Sequence, residues 1–577
     1  MKSNSEHTQE ASDQLIKRIR ESVIGSERYI DTGFGKKPLV YADYTASGRS
    51  IGFIEDYIRE HVLPFYANSH TETSYTGAQT TALREQAREM IRDAVNASDD
   101  DAVILCGSGA TAAINKLVDM LNLRLPANLN DRYELLERIP PHERPVVLLG
   151  GYEHHSNELP WRESIVDVVV IPLTDMGHLD INYLEHTLAE YSDRPLVIGT
   201  FSAASNVTGI KTHVNRVNAL LKQQGALAFW DYAAAAPYVG IDMNPQITSG
   251  NVEHYAKDAV FISPHKLVGG PGTPGVLVVK KSILSNRVPA MPGGGTVVYV
   301  TPEDHVFTDD IERREEGGTP AIVESIRAGL AFSVQQQVGT GEIERREARF
   351  VRQAMDAWSQ SPNIDVLGNQ EADRLAIVSF RIKHADKYLH YGFIAALLND
   401  VFGIQARGGC SCAGPYGHSL LGMDMAYSKA IEQELLGGNM LLRPGWVRVN
   451  FNYFIDEETF DYIVKAIQLV AEHGWRLLPA YHFDQGSGVW RYQAKKVALA
   501  ANLNDIFAIT AGDLLPQDNT HYTSVALADF LTAGEQVLQK SDPSEKHYRI
   551  DVSNEVEALR WFTLPQDISP NKLTHGS

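Results

Sequence analysis

Seven short apolar runs constrain this chain more than any other feature of its sequence. They are DAVILC (101–106), PVVLLGG (145–151), VDVVVIPL (166–173), PLVIGTF (195–201), ALAFWDY (226–232), DAVFIS (258–263) and GVLVVKK (275–281). Among them, GATAAINKLVDMLNL, INYLEHTLAEY and HVNRVNALLKQQG read as helices, the last with a glycine stop. Continuous apolar strands alternating with helices predict a mostly parallel sheet covered on both faces. In such sheets ligands bind at the carboxyl ends of the strands. The residues that follow each run are therefore the first candidates for chemistry.

Composition narrows the functional classes. A chain of 577 residues exceeds one typical domain. With 44% hydrophobic and 21% charged residues it reads as ordinary globular protein. No apolar run approaches the roughly 18 residues that span a bilayer. The amino terminus, MKSNSEHTQEASDQ, is polar and shows no secretory leader, and the three cysteines make no disulfide framework. A reducing cytoplasm is the expected location. The net charge of -20 argues against a nucleic-acid partner.

Three strand ends carry unusual residues. CGSGATAAIN (106–115) passes from strand through a glycine turn into a helix, whose amino-terminal amides attract an anion; Thr111 adds a hydroxyl. No G-K-[ST] follows, so the turn is not a P-loop, and taken alone it is more readily a structural turn. FWDYAAAA (229–236) places Asp231 at a strand end, where an aspartate is most often a helix cap. DAVFISPHKLVGGPGTPG (258–275) sets Ser263, His265 and Lys266 between a buried strand and a glycine-rich turn. A lysine so placed is partly desolvated, which lowers its pKa and frees its amine to attack a carbonyl.

One ligand unites these parts. Pyridoxal 5′-phosphate needs a lysine for its aldehyde, a carboxylate at its pyridinium nitrogen and a phosphate cup. Opposite charges about 4 Å apart, at an effective dielectric of about 20, attract by roughly 4 kcal/mol. That is roughly three pKa units, enough to keep the ring nitrogen protonated.

A fourth stretch, ARGGCSCAGPYGHS (406–419), holds Cys410 and Cys412 one residue apart. A structural zinc site needs four ligands, commonly as C-x(2–4)-C pairs, and only His418 follows nearby. No metal is expected here, and a moving nucleophile is the favoured reading over an inert loop thiol.

The order of these motifs resembles the class V aminotransferase family of fold type I pyridoxal-phosphate enzymes, most of all its cysteine desulfurase and selenocysteine lyase branch. The resemblance spans about Val40 to Glu472. YADYTASG (41–48), YANSHTETSYTG (66–77) and GYEHHSNELPW (151–161) resemble its opening, its N-x-x-S-x-H segment and its E-H-H-S-N-x-x-P-W. The last implies that His154 stacks on the cofactor ring. FSAASNVTG (201–209) resembles S-x-x-S-N-x-x-G and implies Asn206 beside the phenolic oxygen. Ser263 and His265 match the phosphate-binding S-x-H-K, with Lys266 as the cofactor's lysine, and Ala110 and Thr111 fall on the phosphate-binding G-[AT]-T. RREEGGTP (313–320) is similar to R-F-E-A-G-T-P, which implies that Thr319 reaches a phosphate across a homodimer interface. The cysteine loop resembles R-T-G-x-x-C-A, which implies Arg407 on the substrate carboxylate and Cys412 on substrate sulfur.

The match departs from the family in three places. Ala234 stands where a polar residue is common, 241–257 is inserted near the site, and C-x-C replaces a single cysteine, so that Cys410 is an accessory candidate to relay or resolve a persulfide. A C-x-C in this loop also resembles the sulfurase domain of molybdenum-cofactor sulfurases.

The expected organisation is an amino-terminal arm (1–40), a large cofactor-binding domain (41–335), a smaller α/β domain (336–476) and an extension (477–577) of folded composition. That extension contains an amphipathic run, SVALADFLTAGEQVLQK, and the aromatic patch LRWF. A polar insertion, 127–145, is expected as a surface loop or short helix. The expected activity is removal of sulfur or selenium from a small cysteine-type amino acid to give alanine, with a protein sulfur acceptor as a partner. A class V aminotransferase, epimerase or lyase without a thiol nucleophile, and a non-catalytic sulfur-accepting protein, remain open as alternatives.

Overall fold

The computed structural model describes residues 2–69, 71–246, 255–493, 503–504, 526–544 and 548–568, with side chains from Glu10 onward. His70 of the 66–77 segment, 247–254 of the insertion and parts of the extension lie outside the described residues.

All seven apolar runs form strands of one sheet: β1 (Asp101–Cys106), β2 (Val146–Gly150), β3 (Asp167–Ile171), β4 (Val197–Ser202), β5 (Leu227–Asp231), β6 (Ala259–Ile262) and β7 (Gly275–Lys280). Their order is β1-β7-β6-β5-β4-β2-β3. From β2 to β6 every pairing is parallel, whereas β7 runs antiparallel to both β6 and β1. The fold is α/β with a mostly parallel central sheet, as expected. Alternate side chains enter two cores. Trp230, Val260 and Val276 face one, while Phe229, Phe261 and Leu277 face the other. The register sets Ser202 beside Asp231, and Asp231 beside Phe261, so the carboxyl ends of β4 to β6 finish level.

β1 is an edge strand, and its free backbone groups are closed by charged side chains instead of another strand. Val103 N–H donates to Glu312 Oε1 at 2.7 Å and Leu105 N–H to Glu316 Oε1 at 2.6 Å. Arg84 and Arg88 from helix Tyr75–Ala94 both bind Glu316, Arg88 Nη1 at 2.8 Å.

A second, antiparallel sheet follows, with β8 (Ile364–Val366), β9 (Ile377–His384), β10 (Arg407–Gly409) and β11 (Trp446–Asn450) in the order β8-β9-β11-β10. Its last pair aligns Arg407 with Arg448, directly opposite and so on one face of the sheet. The polar insertion contains a short helix, Ala127–Tyr133, on the surface.

The extension is folded where it is described. Helix Leu527–Lys540 packs against helices Glu457–His473 and Tyr391–Phe402, with Gly534 so close to the Phe402 ring that no Cβ fits between them. Further on, Phe562 bridges to Tyr388, and Phe562, Leu564 and Ile568 are buried. Of the aromatic patch, Phe562 is core, and Leu559 and Trp561 pack partly buried against it. Among the described residues no helix is long and apolar enough to cross a membrane.

Candidate active site

One cavity at the carboxyl ends of the parallel strands gathers most of the residues singled out by sequence. Ala110, Thr111, His154, Asn206, Asp231, Ser263, His265, Lys266, Arg407 and Cys412 all line it. Thr319 and Cys410 do not. Thr319 is exposed, where it accepts a hydrogen bond from Asn68 Nδ2 at 3.3 Å. Cys410 packs against an apolar cluster that includes Tyr152, Tyr416 and Trp446.

The anion end is made by the turn after β1. Helix Gly109–Met120 starts at Ser108, whose own side chain caps none of its first amides. Ser263 Oγ accepts from the Ala110 N–H at 2.8 Å, and the Thr111 and Ser156 hydroxyls are 2.6 Å apart. Gly109 has φ +59°, and a Cβ there would lie 2.8 Å from Ser263 Oγ and 2.9 Å from His265 Cε1. Left-handed backbone costs a residue with a Cβ about 1–2 kcal/mol before any clash. Gly109→Ala is therefore expected to weaken binding of pyridoxal 5′-phosphate by at least about tenfold, measured by absorbance titration of the apo-protein.

Asp231 is buried and accepts from the Ala233 N–H at 2.8 Å. Burial raises its carboxyl pKa, while that hydrogen bond and Lys266 oppose the rise. Lys266 is pulled the other way. Burial lowers its amine to about 8, Asp231 works against the shift, and Arg448 and Arg407 add to it. His154 is lowered to about 3, by burial first and then by Lys266, so it presents a neutral ring across the physiological range. His265 is lowered to about 4 for the same two reasons.

An amine attacks an aldehyde only in its neutral form, and Lys266 is the lysine expected to meet the aldehyde of pyridoxal 5′-phosphate. Uptake of pyridoxal 5′-phosphate by the apo-protein is thus expected to quicken with pH up to about 8 and then level off. An unperturbed lysine would go on quickening toward about 10.4. Stopped-flow absorbance distinguishes the two.

Two charged residues that sequence reasoning passed over complete the site. Arg448 is buried, donates to Asp43 Oδ1 at 3.1 Å and to the Asn206 carbonyl at 2.9 Å, and lines the cavity. Its partner across the strand pair, Arg407, is exposed at the cavity mouth. A charge between two valines of a buried strand, V-R-V, was the available signal. Glu153 is buried behind His154 and accepts from Ser202 N–H (2.9 Å), Ser202 Oγ (2.7 Å) and Asn157 Nδ2 (2.8 Å). Burial outweighs these donors and lifts its carboxyl to about 7. It fixes Ser202, which lines the cavity next to Asp231.

The cysteine loop is tied down at three points. Ser411 O accepts from Asn206 Nδ2 at 2.8 Å, Cys412 O from His155 N–H at 2.9 Å, and Gly414 N–H donates to His155 Nε2 at 3.0 Å. Ser411 and Cys412 both have left-handed backbone, at φ +54° and +55°. Such strain is uncommon in consecutive non-glycine residues and marks functional loops.

Two observations fit pyridoxal 5′-phosphate independently of any motif. The Gly109 cradle leaves space for an anion at a helix amino terminus. In addition, Thr45 Oγ1 and Asn206 Oδ1, from residues that line the cavity, are buried with no hydrogen-bond partner among the described residues. A polar ligand would satisfy them.

A family model for Aminotransferase class-V matches residues 40–458. The chain belongs to the class-V aminotransferase family. Curated relatives of this class-V chain include a "Probable cysteine desulfurase" of Halalkalibacterium halodurans, 29% identical over 394 residues, 67% of this chain and 87% of the relative. Another of the same name, from Streptomyces coelicolor, is 26% identical over 382 residues, 65% and 84% of the two chains. Among solved structures, the apo cysteine desulfurase of Thermococcus onnurineus superposes with a TM-score of 0.61 at 20% identity, covering 79% of this chain and 97% of that one. The Escherichia coli cysteine desulfurase CsdA gives 0.56 at 20% identity, covering 75% and 94%. These likenesses show the class-V fold.

Proposed function

We propose that this class-V enzyme binds pyridoxal 5′-phosphate and removes sulfur from L-cysteine or a close analogue, giving alanine. The observation that carries the reading is the meeting of Arg407 and Cys412 with Lys266 and Asp231 in one cavity. Bound there, the cofactor supplies an electron sink conjugated to the substrate's α-carbon. The turn from Ser108 to Thr111, with Ser263 and His265, would hold its phosphate. Asp231 would keep its ring nitrogen protonated, His154 would cover its face, and Asn206 would reach its phenolic oxygen. Lys266 would hold it covalently and, once displaced, take and return the α-proton at Nζ.

The remaining residues act on the substrate itself. Arg407 grips the α-carboxylate with a fork of donors, which lysine would not match. Arg448, held by Asp43, adds positive charge behind it. Cys412 Sγ bonds the substrate sulfur, the carbon–sulfur bond breaks with its electron pair on carbon, and that carbon takes a proton to become alanine's methyl group. The persulfide left on Cys412 passes its outer sulfur to an acceptor thiol, and Cys410, outside the cavity, is the accessory thiol proposed to relay or resolve it. A small protein thiol is the proposed acceptor, and the cytoplasm the proposed location.

A homodimer belongs to this reading. Thr319 stands away from its own chain's cavity, and the nearby hairpin formed by Val297–Val300 and His305–Phe307 exposes Val298 at 70% and Tyr299 at 68%. A second copy would cover that apolar face and receive Thr319 at its phosphate cup. The division into arm, large domain, small domain and extension at residues 40, 335 and 476 is likewise proposed.

One observation favours a second reading. Ala234 lines the cavity and offers no hydrogen bond at the position where the resemblance to the family leads one to expect a polar side chain. This suits another class-V reaction on a sulfur-free amino acid. Product analysis separates the two: with L-cysteine and a reductant, the holoenzyme is expected to release alanine and sulfide in equal amounts. Turnover of a sulfur-free amino acid that survives thiol alkylation, without sulfide from cysteine, would replace the first reading with the second.

A further inference from the structure

The strand that carries Arg407 is poorly equipped to hold itself still. β10 has three residues, pairs among the described residues only with β11, and two of its residues are glycines, Gly409 with φ +136°. Glycine brings no side chain to pack and the largest conformational entropy to lose. Something outside the strand must fix it.

The ring of Tyr391 does so. A Cβ at Gly408 would lie 3.0 Å from Tyr391 Cδ2, and one at Gly445 would lie 2.7 Å from Tyr391 Cε1. Gly445 in turn sits 2.9 Å, measured from the same kind of Cβ position, from the Gly409 carbonyl carbon. The tyrosine therefore presses on β10 next to Arg407 and on the residue that leads into β11.

Tyr391 is itself held by the carboxy-terminal extension. Trp561 stacks on it with ring centroids 6.2 Å apart and planes 9° apart, and on His390 at 5.5 Å and 22°. The Trp561 indole N–H donates to the Leu442 carbonyl at 3.2 Å. Its backbone is fixed by neighbours: the Thr563 N–H donates to Tyr388 O at 2.8 Å, and Lys387 Nζ to Arg560 O at 2.9 Å. A second tryptophan of the extension, Trp490, donates its indole N–H to His390 Nδ1 at 3.0 Å.

We infer that Trp561 is a positioning residue for Arg407 and the cysteine loop, acting through Tyr391, so that the extension is a working part of the substrate site. The inference rests on Arg407 as the carboxylate-binding residue. Losing the indole face frees the Tyr391 ring, the glycine strand loosens, and the guanidinium no longer meets the carboxylate in one geometry. Asp231, Ser263, His265 and Lys266 stand at the strand ends of the other sheet, away from these contacts, and keep their places.

Hydrogen exchange on the full-length, cofactor-loaded chain tests this, with Trp561→Ala and Trp561→Leu beside the parent. Both variants are expected to speed exchange at residues 407–413 at least about tenfold, while residues 259–266 exchange as in the parent. The dissociation constant for L-alanine, which has the carboxylate and no sulfur, is expected to rise about tenfold by cofactor absorbance. Trp561→Phe should restore most of both. Leucine keeps apolar volume, so the comparison stands even where alanine disturbs folding. Unchanged exchange at 407–413, or acceleration spread evenly over both segments, would overturn the inference. A parent that binds L-alanine but makes none from L-cysteine would instead sink the desulfurase reading and leave this one standing.

Discussion

Replacing Lys266 by alanine is expected to cut turnover of L-cysteine by about ten-thousand-fold or more and to let the cofactor wash out on dialysis. Two separate losses combine. On the proposed function the chain loses its covalent hold on the cofactor and the amine that moves the α-proton, a role worth about 10²–10⁴-fold alone. No neighbour can substitute. Burial lowers His154 to about 3 and His265 to about 4, so both rings are weak bases beside this amine. Alanine release and the visible absorbance of the dialysed protein check the two losses independently. Parent-like alanine release from a colourless variant would remove Lys266 from the chemistry.

Replacing Glu316 by alanine is expected to destabilise the fold by about 3–5 kcal/mol, the range for breaking a buried ion pair by removing one partner. Arg84 and Arg88 would lose a shared buried counter-charge, and the Leu105 N–H on the edge strand would lose its acceptor. The pH dependence has a definite sign. Burial alone would raise the Glu316 carboxyl, but Arg88 and Arg84 outweigh it and hold it below its ordinary value. A depressed carboxyl contributes stability above its unfolded pKa of about 4.3 and loses it as pH falls through the lower folded value. The gap between parent and variant should therefore be full at pH near 7 and shrink below about pH 4. Urea midpoints at several pH values measure it. A gap that widened toward acid would contradict the ion-pair account.

Much of the site was legible because its chemistry follows buried strands. Asp231 and Lys266 each stand at or just after an apolar run, and a buried parallel sheet has its ligand crevice at those ends. Contacts between distant segments were not legible. The pairing of Arg407 with Arg448 depends on the register of two strands far apart in sequence, and no local pattern encodes it. Glu153 stood in a motif read for its histidines. Its role depends on Ser202 of another strand. The antiparallel course of β7 was hidden too, since a short buried run reads the same in either direction. LRWF could be given no partner from sequence, because His390 and Tyr391, on which Trp561 stacks, lie on a distant helix and its cap.

The central claim is that Cys412 takes the substrate's sulfur. Mass spectrometry after a single turnover tests it most directly: the holoenzyme is mixed with an equal amount of L-cysteine, trapped by alkylation, and the peptide that carries Cys410 and Cys412 is fragmented. The account predicts a gain of one sulfur atom on Cys412, matched by one alanine released per chain. Alanine released with both cysteines unmodified, or with the extra sulfur already on Cys410 at the earliest time, would contradict it.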